Sequence, residues 1–311
     1  MKDKKPYLSL CIPTYNRLDI LQNTIESIYS DLKNINLDDF EVVISDNEPN
    51  RSSKEIVNKF EYKNLHYFPT VCEGFLNSFY VLSYGNGSFL KLHNNYTKLR
   101  KGSLEILINE IKDNIINKPV IYYSDGLKES GKIMEFDSYD LFIKKLSYFS
   151  SRSSGFGIWK EDFDRYSSKI EINKYFPHTS LLFSQSQKSS FLINDRDIFD
   201  DQNVPNKGGY NIFKVFSVDF ISLIAQTYNK NEITSKTFKK IKSDLLLNFL
   251  SVRYFKTVIM KMDNFEKNDI KKNIRVNYSL FSFYLMIFIS FFAPIKFGIR
   301  KIKIALFSKN I

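Results

Sequence analysis

An α/β fold with a mostly parallel sheet and helices on both faces is predicted by three observations. Short apolar runs alternate with helix-period segments through the first 125 residues. Each apolar run is short enough for one strand. The segments between them are long enough to cross back over a sheet, as parallel pairing requires.

The elements follow in order. Residues 8–12 form the first strand, and Leu18, Leu21, Ile25 and Ile28 recur at helical spacing after it. Residues 41–45 form the second strand, followed by a polar turn and a helix marked by Ile56 and Phe60. Residues 65–68 form the third. Phe75, Phe79 and Leu82 mark the next helix, which Gly85-Asn86-Gly87 ends. Residues 88–92 form the fourth strand. Leu104, Leu107, Ile108, Ile111 and Ile115 mark a long helix, and residues 120–124 form the fifth strand. The pattern then loosens. Strands are expected at 155–159 and 191–194, a helix within 175–186, a polar loop over 195–209, and helices from Asn211 onward. No internal repeat and no GxGxxG or Walker phosphate loop occurs. In such a sheet, ligands bind beyond the carboxyl ends of the strands.

At 43% hydrophobic and 25% charged over 311 residues, the chain is too apolar to be disordered. Two cysteines exclude a disulfide scaffold, and Cys11 and Cys72 read as reduced and intracellular. Three histidines argue against a histidine zinc site. The N-terminal apolar run is too short for a secretory signal. The net charge of +11 is unevenly placed. Residues 230–311 hold 17 Lys/Arg and 5 Asp/Glu, a net of +12. The remainder holds 28 basic and 29 acidic residues, a net of −1. A nucleic-acid binder is therefore disfavoured, since the charge gathers in one tail and no RNA-binding signature accompanies it.

Residues 276–295 carry no charge and are rich in Phe. Twenty helical residues would span about 30 Å, the thickness of a bilayer core. Pro294, the serines and Tyr284 weaken a spanning reading. Ile295, Ile299, Ile302 and Leu306 then form one stripe, with Lys296, Arg300, Lys301 and Lys303 between them. That composition suits an anionic membrane surface. The competing reading is a hydrophobic helix packed on the main domain. The expected division is an α/β domain at 1–225, which the motifs below mark as nucleotide-sugar and acceptor-binding by resemblance, and a helical membrane-associating region at 226–311.

Several motifs in order resemble glycosyltransferase family 2, the inverting enzymes of the GT-A, Rossmann-like fold. They are Leu8-Ser-Leu-Cys-Ile-Pro-Thr-Tyr-Asn-Arg17, Val43-Ile-Ser-Asp-Asn47, Glu73-Gly-Phe-Leu-Asn77, Gly87-Ser-Phe-Leu-Lys-Leu92 and Lys101-Gly-Ser-Leu104. Glu73 departs from the family pattern. Gly155, Pro177-His178-Thr179 and Gly209-Tyr-Asn-Ile-Phe213 are more loosely similar to the abequosyltransferase-like branch.

The resemblance implies a nucleotide-sugar site formed by Pro13, Thr14, Tyr15, Arg17, Asp46, Asn77, His93, Asn94 and Asn95. The chemistry of the residues agrees. Tyr15 can stack on a base and Arg17 can pair with phosphate. Asp46 accepts hydrogen bonds from a base or ribose, or else forms an Asx-turn. Asn77 contacts the ligand or lies on an exposed helix face. His93 touches metal or diphosphate, or is structural.

The family normally places an Asp-x-Asp cluster after the fourth strand to hold a divalent metal. Here the segment is Leu92-His-Asn-Asn-Tyr-Thr-Lys98, with Asn95 and Thr97 at the motif positions. No carboxylate occurs between Glu73 and Glu105. Neutral oxygens hold a hard dication poorly. No cofactor is therefore certain: a weakly held Mn2+ or Mg2+, no metal at all, or a loss of catalysis each fits. Lys91, Lys98, Arg100 or Lys101 would offset leaving-group charge instead. For the base of an inverting transfer, His178 is the positional match, with Asp162 and Asp195 as fallbacks.

The expected function is transfer of a sugar from a nucleotide sugar to a lipid-linked or cell-surface polysaccharide, as in capsule, O-antigen or teichoic acid assembly. The enzyme would sit on the cytoplasmic membrane face, peripheral or monotopic. The alternative is an inactive scaffold or partner subunit of the same fold.

Overall fold

The computed structural model describes residues 5–205 and 207–294. The chain divides into two compact units, with the boundary between Val204 and Pro205. Residues 205–225 therefore go with the second unit rather than the first. The physical reason is continuity: the helical run over 212–229 is unbroken and packs within the later helices.

The first unit is built on a five-stranded sheet. Its strands are β1 (Leu8–Thr14), β2 (Phe40–Asp46), β3 (Leu65–Pro69), β4 (Phe89–Leu92) and β8 (Gly157–Trp159), in the order β3-β2-β1-β4-β8. The first four run parallel, and β8 joins the edge antiparallel to β4. Every residue of β2 and β4 is buried, as expected of a sheet covered on both faces. Helix α1 (Leu18–Tyr29) lays Leu21, Ile25 and Ile28 on this sheet, and α4 (Ser103–Asp113) adds Leu104, Leu107, Ile108 and Ile111 to the same core. Between them in sequence come α2 (Ser53–Val57) and α3 (Asn77–Tyr84).

Two features correct the sequence reading. The fifth strand, β6 (Val120–Tyr123), leaves the main sheet and pairs with β9 (Phe191–Asn194), which is flanked by the antiparallel β7 (Ile133–Phe136). Within the loop expected at 195–209, Phe199–Asp201 forms β10, pairing antiparallel with β5 (Thr97–Leu99). Helices α5 (Tyr139–Leu146), α6 (Lys160–Tyr166) and α7 (Pro177–Phe183) complete the unit.

Gly87 has no substitute. A Cβ there would lie 2.6 Å from Ser9 Oγ and 2.7 Å from the Ser9 backbone nitrogen. Gly155, singled out by its family position, has a packing role: a Cβ would meet the Tyr122 ring at 2.4 Å.

The second unit is helical among its described residues, over 212–229, 235–259, Ile270–Arg275 and Leu280–Ser290. The last helix is capped by Ser279, whose hydroxyl accepts from Ser282 N at 3.1 Å. It buries Phe283, Met286 and Ser290 and exposes Phe281, Tyr284 and Phe288. Its 11 residues extend about 16 Å. No helix among the described residues is long and apolar enough to cross a membrane. The basic stripe expected from Ile295 to Leu306 lies outside the described residues.

Candidate functional site

The parallel strands β1 and β2 end level at Thr14 and Asp46, β4 ends at Leu92 opposite Cys11, and the turn after β4 returns to Thr14 through Asn95. Pro13 and Thr14 finish β1, with Pro13 half-buried and Thr14 buried. Tyr15 stands 55% exposed at the mouth, the largest free aromatic surface of the β1–α1 turn. Asn16 adopts a left-handed φ of 46°, which turns the chain sharply into α1. Arg17 is the N-cap residue of α1, and no side chain caps that first turn.

The turn after β4 closes onto these residues. Asn95 is buried, donates from Nδ2 to Thr14 Oγ1 at 3.0 Å, and accepts from Arg17 Nη1 at 3.2 Å. The Arg17 guanidinium also lies 5.7 Å from the centre of the Tyr96 ring. Asn94 is half-buried, donates to Tyr96 OH at 3.1 Å and accepts from Ser153 Oγ at 2.8 Å. These bonds fix the turn that Arg17, Tyr96 and Asn94 present.

Asp46 ends β2 and is 1% exposed. Its Oδ1 accepts from Glu48 N at 3.0 Å, so the Asx-turn weighed for it is present. Its Oδ2 accepts from Tyr67 OH at 3.0 Å, and burial together with this carboxylate pushes the Tyr67 phenol up.

Asn77 takes neither of its expected places. It is 3% exposed, so it does not lie on an open helix face. Its Nδ2 donates to Ser45 O at 2.8 Å, Asn47 Oδ1 at 3.0 Å and Thr14 O at 3.3 Å, and its Oδ1 accepts from Ser45 Oγ at 2.5 Å. Both ends of the amide clasp β1 to β2, leaving no hydrogen for a ligand.

The histidines are also corrected. His93 is 1% exposed, and its Nε2 bonds Thr97 O at 2.6 Å. Burial pushes its pKa down to about 3, with the neighbouring Lys91 charge adding to the shift. It is a neutral packing residue against the Phe199 ring. His178 sits inside α7, 5% exposed, with Nε2 donating to Ser151 O at 2.9 Å. Burial lowers it to about 4, far from the value near neutrality that recommended it as a base. Both fallbacks are structural. Asp195 is buried and accepts from Ser124 Oγ, Lys128 N, Ser130 N and Ser130 Oγ. Asp162 is buried and pairs with Lys188 at 2.7 Å.

The basic cluster is rearranged too. Lys91 is fully buried, donating to Leu92 O at 2.7 Å and to Ser154 O. Arg100 pairs with Asp200 at 2.9 Å, while Lys98 and Lys101 are exposed. The cation reading missed is Arg152, which lies 3.8 Å from Asp201. Asp201 in turn accepts from Thr97 Oγ1 at 2.8 Å. A carboxylate therefore reaches the turn from 104 residues away. Nothing local in the sequence signals it, because β10 has only three residues.

Residues 9–79 match the family model of glycosyl transferase family 2. No curated protein matches the chain. Residues 1–349 of TarS from S. aureus, in complex with UDP-GlcNAc, share 13% identity at a TM-score of 0.60, covering 86% of this chain and 78% of that one. A longer TarS structure shares 16% identity at a TM-score of 0.53, covering 79% of this chain, which spans 43% of its length. The mannosyltransferase PcManGT from Pyrobaculum calidifontis, in complex with GDP-Man and Mn2+, shares 12% identity at a TM-score of 0.52, covering 94% and 87%.

At the turn after β4 the oxygens at the two motif positions are already engaged. Asn95 Oδ1 already faces the Arg17 cation, and Thr97 Oγ1 is buried and donates to Asp201. Among the described residues no group of three His, Cys, Asp or Glu could hold a metal ion. Residues 9–79 are thus similar to glycosyl transferase family 2, and the chain shares the α/β fold of these solved structures.

Proposed function

We propose that the protein is an inverting glycosyltransferase that takes a nucleotide sugar at the carboxyl ends of β1, β2 and β4. One observation carries the reading. The segment matching the family is the one that brings Tyr15, Arg17 and Asp46 to that mouth. Tyr15 offers a face for the base, Asp46 stiffens the wall beside it, and Arg17 offers a planar pair of donors for phosphate. The nucleotide sugars in the complexes of the structural neighbours support the donor class.

A thermal-shift screen with UDP-, GDP- and CDP-sugars tests this. One of them is expected to stabilise the wild type and to be hydrolysed slowly with release of its nucleoside diphosphate. Tyr15→Ala should weaken that nucleotide roughly tenfold, the scale of one lost stacking contact. Tyr15 is exposed, so the variant should fold normally. No shift with any nucleotide sugar would sink the donor reading. Binding without turnover, with a second transferase co-purifying, would favour the inactive-subunit alternative.

For the acceptor we infer a glycan presented at an anionic lipid surface, such as a lipid-linked capsule or O-antigen intermediate on the cytoplasmic face. The second unit supports this. Phe281, Tyr284, Phe288 and Phe291 are each more than half exposed along one face at helical spacing. The helix bearing them is uncharged, and Lys271, Lys272 and Arg275 precede it. Aromatic rings beside cations suit a headgroup interface. The full chain is expected to co-sediment with vesicles containing phosphatidylglycerol and less with pure phosphatidylcholine. The Phe281→Ser, Phe288→Ser double variant should lose at least tenfold in partitioning. Concentration-dependent self-association without vesicle binding would instead assign this face to a second copy.

A further inference from the structure

We propose that this chain holds the donor diphosphate with the Arg17 guanidinium in the place where a divalent cation would bind, so that nucleotide binding needs no metal. The inference rests on the donor reading above and concerns only how its negative charge is met.

The local geometry supports it in three ways. First, the oxygen that a cation would need at the turn after β4 is committed to a cation that the chain supplies itself. Asn95 Oδ1 accepts from Arg17 Nη1 at 3.2 Å. A dication on that oxygen would stand beside the guanidinium, and like charges at such a separation repel strongly where solvent is partly excluded. Second, the turn is pinned in this arrangement. Asn95 Nδ2 is held by Thr14 Oγ1 at 3.0 Å, and the Asn95 carbonyl accepts from Thr24 Oγ1 at 2.8 Å. The amide cannot rotate to offer its oxygen elsewhere without losing the bond to Thr14. Third, the carboxylate that reaches the turn is already balanced. Asp201, the carboxylate that reaches Thr97, has Arg152 3.8 Å away.

Arg17 fits the task by position and shape. It is half-buried, at the junction of β1 and α1, steadied on the Tyr96 face and on Asn95. Asn95 takes one guanidinium hydrogen, leaving further donors for paired phosphate oxygens. Carboxylates at the two motif positions would hold a metal, whereas here they are an amide, Asn95, and a hydroxyl, Thr97. The arginine bound to that amide supplies positive charge without the metal.

Isothermal titration of the full-length chain with UDP, GDP and CDP, and with the matching nucleosides, tests the assignment. The nucleoside diphosphate that binds is expected to do so in EDTA with a Kd within threefold of its value in Mn2+. Arg17→Gln should weaken it at least tenfold in EDTA while leaving the nucleoside unchanged, and Arg17→Lys should recover part of the loss. The unchanged nucleoside affinity also shows that the variant is folded. Binding that requires Mn2+, or an Arg17→Gln variant with full diphosphate affinity, would overturn the inference and leave the donor reading intact. Failure of all three diphosphates to bind the wild type would overturn both.

Discussion

Replacing Lys91 by Met is expected to make the stability difference between the two proteins strongly pH-dependent. Burial lowers the Lys91 ammonium from the ordinary 10.5 to about 7, with Asp125 partly opposing the shift. Below about pH 7 the lysine is charged both folded and unfolded, and the folded state carries the full penalty of a buried cation. Between about 7 and 10.5 the unfolded chain holds a proton that the folded chain does not, so stability rises with pH. Above 10.5 the penalty is gone. The wild type should therefore gain on Lys91→Met by roughly 5 kcal/mol from pH 7 to 10.5. Urea unfolding followed at Trp159, the single tryptophan, reads this directly, since that residue is buried beside β4. A difference that stays constant with pH would show that Lys91 keeps its ordinary proton affinity.

Glu41→Ala should cost the first unit about 3 kcal/mol or more, acting near the amino ends of β1 and β2. Glu41 is buried, and its Oε1 accepts from Ser9 Oγ at 2.6 Å, Asn86 N at 2.5 Å and Gly87 N at 3.1 Å. That one oxygen ties β1 and β2 to the turn before β4. Alanine removes the acceptor of the buried Ser9 hydroxyl and of Asn86 N, while Gly87 N keeps Ser9 Oγ at 2.8 Å. Glu41→Gln keeps an acceptor oxygen and should cost about 1 kcal/mol. Urea midpoints of the two variants separate a hydrogen-bond role from a requirement for charge, and equal losses would refute the distinction. Because Ser9 and Glu41 pair near the starts of their strands, nucleotide affinity per folded molecule should be unchanged in either variant.

The first unit was legible in the sequence where periodicity and chain order carried the information. The runs that became β1 to β4 lie where their apolar residues placed them, and Leu21, Ile25 and Ile28 bury the face their spacing marked. The place of Tyr15 and Arg17 just past the first strand was legible because the strand pattern ends before them. The partners of β6 were not, since a strand pattern does not say which sheet it joins. The site residues misread were those whose role depends on burial. His93, Asn77 and His178 carry chemistry suited to ligands, yet each is sealed among backbone carbonyls.

The sequence by itself determined the alternation of strands and helices, the matching segment over 9–79, the lack of carboxylates from 74 to 104, and the basic tail. These are properties of neighbours along the chain. Tertiary structure alone decided that Arg17 bonds Asn95, 78 positions away, and that Asp201 reaches Thr97. It also decided that Lys91 is buried beneath the turn rather than facing it. The reason is that each of these charges is set by what surrounds it in space. Composition counts a lysine the same whether water or a ring of carbonyls surrounds it, and only the fold distinguishes them.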